Sequence, residues 1–472
     1  MGSGRSISST SGPRPTAGLT DAERGRMLQQ PATGSQRYSS SVRPSSRGGE
    51  MGRPVPVHLI DQFLCPVDGH ADLLPMRRLD GHQASSHTPA NPSKRQSTVK
   101  LDLLYEIDAP KPWTGSHPSG QRAAEQRAYR EAVEQIALAD RLGFHTVWAV
   151  EHHFREGRSH CPAPEVVLGY LAAVTERLRL GFGVTLTPFG FTPPQRIAEK
   201  VAAVDILSNG RVEWGTGRST PMEQTAFGID RERSRDDWRE AIEIVCGMWR
   251  EEYFEYQSDR FHFPRRMVTP KPVQDPHPPC WMAATSDGSA EVAGRYGLGL
   301  LSFSIMQPLE RMAAHIAAYR SASEQATPLT DVTTNKVAAY TLVHVTDNNR
   351  SPDTDVWRSV GWWYSNLAEF TLQWELPHLS EQERESAFPL LKPLIEGDVP
   401  IERFDNADMI VIGDTDRCIE KMKHYADLGV DELICYVQFG YLPHEAVMRT
   451  IEVLGKEVIP ELAAYRAQRR DN

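Results

Sequence analysis

The chemistry-bearing residues of this chain gather where strand-like runs end. The run TVWAV (146–150) leads directly into Glu151, His152, His153 and Phe154, an acid and two imidazoles at the carboxyl end of a strand. The carboxyl end of a strand is where the active sites of parallel barrels sit. Adjacent residues of an extended chain face opposite sides, so at most one of the two histidines is expected to face a pocket. A His-His pair with no third ligand at useful spacing is poor support for zinc or iron, and no metal site is expected. Loop histidines in a chain that contains 16 can equally be structural.

A second cluster is RVEWGTGRSTP (211–221), where Gly215 and Gly217 end a strand and Arg218, Ser219 and Thr220 follow. Glycines at a strand end let a planar ligand or a phosphate approach the backbone closely. A third is AATSDGSAEVAGRYG (283–297), with Thr285, Ser286, Gly288 and Ser289 at a strand-to-helix turn. Hydroxyls and free N–H groups at a helix N-terminus can seat a phosphate, although the same residues make an ordinary cap. The run GWWYSN (361–366) offers Trp362, Trp363 and Tyr364 as walls for an apolar substrate or as plain core. Neither GxGxxG nor a P-loop occurs, so dinucleotide binding has no fingerprint.

The elements that must position these groups are legible from Val99 to about Ala464. Strand candidates are 99–107, 146–150, 178–186, 211–217, 280–284, 298–303, 337–345 and 432–439, with amphipathic helical patterns between them. Eight strands alternating with helices predict an α/β fold, a (β/α)8 TIM barrel, with a doubly wound sheet as the runner-up. Strand ends of such a barrel meet on one face, so the three clusters would converge there. Gly143, Gly297 and Gly429 fit the left-handed position that closes a helix. Two loop insertions, roughly 253–279 and 372–406, exceed a minimal barrel and are expected over the catalytic face.

The whole chain has 472 residues and a formal net charge of −10. That balance argues against a protein that grips phosphate backbones, so no nucleic-acid partner is expected. A mean hydropathy of −0.46 and the lack of any long apolar run predict no membrane span and a cytoplasmic location. Six scattered cysteines without a CxxC pair read as reduced thiols. Residues 1–98 are rich in Ser, Pro, Gly and Arg and carry twelve basic against seven acidic residues. This predicts a poorly ordered, low-complexity N-terminal extension before a barrel domain over 99–472.

GFHTVWAVEHHF, LGFGVTLTP with its following helix, VDILSNGRVEWGTGR and WMAATSDGSAEVAGRYG occur in this order. With these motifs the chain resembles the bacterial luciferase-like, flavin-dependent monooxygenase family, over about residues 99–465. The resemblance implies a barrel that binds reduced FMN (FMNH2) at its strand ends, with O2 as co-substrate captured as a flavin C4a-(hydro)peroxide. An apolar or aromatic small molecule would then be oxygenated. By the same resemblance His152 is the catalytic acid/base, supported by Glu151 and His153. The FMN phosphate falls on Arg218, Ser286 and Ser289 in the turn with Thr285 and Gly288. The family's strained peptide beneath the flavin ring maps to Gly183 and Val184. Trp362, Trp363 and Tyr364 match an aromatic cluster, and 372–406 takes the place of a mobile active-site loop.

Two departures from bacterial luciferase stand out: Gly217 where that protein has Cys, and Thr285 where it has an acidic residue. They favour a non-luminescent oxygenase. The resemblance further implies a two-component system with a separate flavin reductase, and a homodimer. The rival readings are a deazaflavin-dependent hydride-transfer oxidoreductase on the same fold and a non-catalytic flavin-binding barrel.

Overall fold

The computed structural model describes residues 99–468, except 307, 348–353, 376–380, 382–391 and 397–398. The expected extension over 1–98 lies outside the described residues, as does much of the expected mobile loop at 372–406.

The strands are β1 (Lys100–Tyr105), β2 (Thr146–Ala149), β3 (Arg179–Leu186), β4 (Val212–Gly217), β5 (Phe254–Gln257), β6 (His262–Arg266), β7 (Cys280–Ala284), β8 (Gly299–Ser302), β9 (Val337–Val345), β10 (Ile410–Gly413) and β11 (Glu432–Tyr436). Eight of them, β1, β2, β3, β4, β7, β8, β9 and β11, pair in parallel around a closed ring. β9 meets β8 through Leu301 and Ala338 and meets β11 through Glu432 and Ala338. These eight are the strands that the sequence predicts, and the ring excludes the doubly wound sheet.

The connections are helical. They include α1 (Ser119–Leu142), α2 (Pro164–Val174), α3 (Pro194–Leu207), α4 (Pro221–Ala226), α5 (Ser234–Arg250), α6 (Asp287–Arg295), α7 (Leu309–Ser323), α8 (Thr354–Phe370), α9 (Glu402–Asn406), α10 (Thr415–Asp427) and α11 (His444–Val453). Parallel strands need such crossovers, and each helix buries its apolar stripe on the ring. Gly143, Gly297 and Gly429 take φ of 89°, 69° and 88°, the left-handed values their helix-ending positions require. No helix among the described residues is long and apolar enough to cross a membrane.

Inside the barrel two indoles set the floor of the upper half. Trp148 and Trp281 meet edge to face with ring centroids 5.5 Å apart. Their N–H groups donate to Asp102 (2.8 Å) and Glu213 (2.7 Å). A Cβ at Gly181 would lie 2.4 Å from the Trp148 ring and one at Gly299 would lie 2.3 Å from the Trp281 ring, so both glycines make room for the indoles. Below them, Lys336 pairs with Glu432 at 2.8 Å and Arg179 with Glu213 at 2.5 Å, which closes the amino-terminal end with matched charge. The upper end is left to the site.

Three features differ from the sequence reading. The first long segment (253–279) is not all loop, because β5 and β6 form an antiparallel hairpin within it. β10 was not anticipated; it pairs with the end of β9 beyond the stretch that β8 covers, Ile410 lying opposite Leu342. The aromatic run 361–366 belongs to α8, where Trp363 and Tyr364 are buried and Trp362 packs against Tyr441 at 5.9 Å.

Candidate functional site

At the carboxyl ends of the strands lies a cavity of about 300 Å³. β2 delivers His152 and Glu151 to its rim, β3 delivers Gly183 and Val184, and β4 delivers Gly217 and Arg218. The turn after β7 delivers Thr285 and Ser289. The three clusters that the sequence separates by some 140 residues thus open on one space.

His152 is held by a residue that the sequence reading passed over. Its Nδ1 lies 3.0 Å from Glu223 Oε1, and the same oxygen accepts the backbone N–H of His153 at 2.7 Å. Glu223 is the third residue of α4, and its other oxygen accepts the hydroxyls of Ser219 (2.5 Å) and Thr220 (2.8 Å), closing a capping box. The side chain is fully buried. Burial works to raise its carboxyl, but His152, Arg155 and the hydrogen bonds outweigh this and hold it well below the ordinary carboxylate range. An ionised carboxylate only accepts, so Nδ1 carries the proton and Nε2 is the ring nitrogen left for a ligand.

Glu151 and His153 play supporting parts in position. Glu151 Oε2 accepts the Leu186 N–H at 3.2 Å, which ties the β2 loop to the end of β3, and Oε1 lies 3.5 Å from His153 Nε2. His153 does not line the cavity; its ring packs on Phe227 at 4.9 Å. This is the opposite-face arrangement expected of adjacent residues.

The glycines at the strand ends are required by close approach. A Cβ at Gly215 would lie 2.2 Å from the Phe182 carbonyl oxygen, and one at Gly217 would lie 2.5 Å from Val184 Cγ2. The Gly183–Val184 peptide, which lines the cavity here, is cis. Beside Gly217, Arg218 Nη1 contacts Ser234 Oγ at 3.3 Å, and Arg231 joins it on the cavity wall.

The hydroxyl turn caps α6. Ser286 Oγ accepts the Ser289 N–H at 3.3 Å, while Ser289 Oγ accepts the N–H groups of Thr285 (3.2 Å) and Ser286 (3.0 Å). Thr285 and Ser289 line the cavity; Ser286 and Gly288 stand behind them, within the cap itself. Two guanidiniums, two hydroxyls and a helix N-terminus around a glycine-lined opening fit a phosphate monoester bearing a flat ring system.

Of the aromatic run, Trp362, Trp363 and Tyr364 do not line the cavity. Helical spacing turns Trp363 and Tyr364 toward Tyr340 (6.5 Å) and Phe404 (4.0 Å), and presents Leu367 and Phe370 to the cavity instead. Arg155 lies over the Phe370 ring at 4.2 Å, which forms part of the rim.

Deeper in, Glu106 from the end of β1 and Arg158 from the β2 loop form a two-pronged ion pair at 2.8 and 2.9 Å. Burial opposes charge on Glu106, but the guanidinium outweighs it and lowers the carboxyl. Asp108 accepts the Tyr436 hydroxyl at 2.7 Å and the Ser159 N–H at 3.0 Å. Burial, then the negative Glu106, pushes Asp108 up to about 7.

The residues that sequence reasoning missed differ in how visible they were. Thr220 and Glu223 spell the T-x-x-E capping pattern, a signal that was present. Glu106, Arg158 and Tyr340 lie far apart in sequence, and only the closed ring brings them together.

The Luciferase-like monooxygenase family matches residues 113–432. The oxygenase component of flavin-dependent trigonelline monooxygenase from Acinetobacter baylyi is 26% identical over 359 residues, covering 73% of this chain and 93% of that protein. An F420-dependent glucose-6-phosphate dehydrogenase from Segniliparus rotundus is 28% identical over 351 residues, covering 72% of this chain and 96% of its own. Among solved structures, monooxygenase RslO1 from Streptomyces bottropensis superposes with a TM-score of 0.60 at 26% identity, covering 77% of this chain and 99% of its own.

Proposed function

The chain belongs to the luciferase-like monooxygenase family, and we propose that it is the oxygenase of a two-component system that uses FMNH2 and O2 to oxygenate an apolar or aromatic small molecule. The observation that carries this reading is that His152 and the Arg218, Arg231, Thr285 and Ser289 seat open on one cavity whose remaining wall is largely apolar.

In this reading Arg218, Arg231, Thr285 and Ser289 hold the FMN phosphate, and Ser286 and Gly288 form the cap behind it. Gly183, Val184 and Gly217 flank the ring system at the strand ends. Reduced FMN supplies the electrons that activate O2. His152 holds or moves a proton at Nε2, with Nδ1 fixed by Glu223. Leu367 and Phe370 exclude water from the mouth. The substrate occupies the remaining, deeper part of the cavity. A flavin reductase as partner, a homodimeric assembly and a cytoplasmic location belong to the same proposal.

A second reading is deazaflavin-dependent hydride transfer, favoured by the comparable similarity of the F420-dependent dehydrogenase. Oxygen dependence separates the two. An oxygenase forms product only with O2 and carries one ¹⁸O atom from ¹⁸O2 into it, whereas hydride transfer proceeds anaerobically.

A further inference from the structure

Two hydrogen-bond donors stand at the deep wall of the cavity with nothing among the described residues to receive them. Arg158 is 4% exposed and spends Nε and Nη2 on Glu106, while its guanidinium lies over the Trp363 ring at 4.6 Å. Tyr340 is 5% exposed and is pinned through its backbone, its N–H donating to Ser304 Oγ at 2.7 Å and its carbonyl accepting from the same hydroxyl at 2.6 Å. Its ring packs on Phe303 at 5.5 Å and Tyr436 at 5.9 Å. Both residues line the cavity. Among the described residues, Arg158 Nη1 and the Tyr340 hydroxyl are nonetheless buried without a hydrogen-bond partner.

Buried donors are almost always matched, because losing hydration without a replacement bond is costly. The two side chains are held by contacts that use neither donor, so neither can turn away to find a partner. The two side chains share a neighbour, since the Trp363 ring lies 4.6 Å from the Arg158 guanidinium and 6.5 Å from the Tyr340 ring. Burial raises the phenol well above its usual range, which keeps it a donor at any physiological pH. The missing element is therefore an acceptor atom. Its charge is constrained as well: Glu106 already neutralises Arg158, so a second anion beside it would be buried without compensation.

We propose that Arg158 Nη1 and the Tyr340 hydroxyl form a recognition site for the neutral carbonyl oxygen of a ketone-bearing or quinone-like substrate, whose carbon skeleton rests on the neighbouring Leu104, Leu301 and Ile434. This rests on the oxygenase reading for what happens to that substrate, but the site is defined by the cavity wall alone. It accounts for orientation: an apolar molecule with one carbonyl would be fixed at its deep end, leaving the opposite end toward His152.

The test is equilibrium titration of the full chain, with and without FMN, using acetophenone, ethylbenzene and benzoate as probes of one shape. Acetophenone is expected to bind about fivefold or more tightly than either of the others, the worth of a buried hydrogen bond. Tyr340→Phe keeps the ring packing and should abolish the preference over ethylbenzene while leaving ethylbenzene binding unchanged. Arg158→Lys, which retains the charge opposite Glu106, should also reduce it. Equal binding of ketone and hydrocarbon, preference for benzoate, no acetophenone binding, or an undiminished ketone preference in Tyr340→Phe overturns the proposal. FMN affinity is read in parallel: its absence strikes at the flavin reading, and the ketone preference of flavin-free protein is still measured.

Discussion

His152 Nδ1 and Glu223 Oε1 are 3.0 Å apart, and that contact decides which nitrogen of the imidazole can act. The carboxylate is fully buried and held in its charged form, so it fixes both the ring's orientation and its tautomer. His152→Asn should lower substrate-dependent O2 consumption by about 10²–10⁴-fold, the usual worth of an acid/base group. Glu223→Gln retains an acceptor but loses the charge, and should cost about 10–100-fold. In both variants FMN affinity should stay within about twofold, since neither side chain belongs to the phosphate seat.

Arg218 and Ser289 share the cavity wall on the side of the α6 N-terminus. Arg218→Ala should weaken FMN binding by roughly 10–100-fold, as expected for lost charge-assisted hydrogen bonds. Riboflavin, which lacks the phosphate, should bind the variant and the unaltered chain alike. Fluorescence titration with both flavins reads the difference.

Much of the fold was legible because a parallel barrel writes its strands strongly. β3 and β4 are apolar runs that end in glycine-rich bends, and α1 ends at Gly143 in the form a helix stop demands. β10 escaped notice because IVIG is four residues long and follows a Pro- and Glu-rich stretch. The β5–β6 hairpin is largely exposed, so its residues lack the alternation that betrays a half-buried strand. The site divides in the same way. His152, Gly217 and Arg218, marked by strand-end motifs, line the cavity, whereas Trp362–Tyr364 do not, because aromatic content alone does not say which face of α8 meets it. The Glu106–Arg158 pair joins residues 52 positions apart and left no local pattern to read.

Gly215 admits no side chain. A Cβ there would lie 2.2 Å from the carbonyl oxygen of Phe182 on the paired strand β3, backbone that cannot swing aside. Gly215→Ala should destabilise the fold by roughly 3 kcal/mol. The lower midpoint of urea-induced unfolding at an unchanged slope is the measurement.

Asp108 gives stability a pH dependence of definite sign. Its folded value of about 7 lies above the ordinary 3.8, mainly because burial disfavours the charge. Between those values the folded chain holds a proton that the unfolded chain has released, so this group's contribution to stability falls as pH rises from about 4 to about 7. Asp108→Asn should flatten that decline. Urea titrations at pH 5 and pH 8 check it: the unaltered chain should lose more stability between them than the variant.

Every role proposed above depends on the cavity binding reduced FMN and governing its reaction with O2. The most direct measurement is anaerobic titration of the protein with FMNH2, followed by rapid mixing with O2 while the flavin absorbance is recorded. Saturable binding is expected, with reoxidation kinetics distinct from those of free FMNH2 and altered again in His152→Asn. This expectation would be contradicted if FMNH2 failed to bind, or reoxidised as the free flavin does, while a reduced deazaflavin bound saturably and exchanged hydride without oxygen.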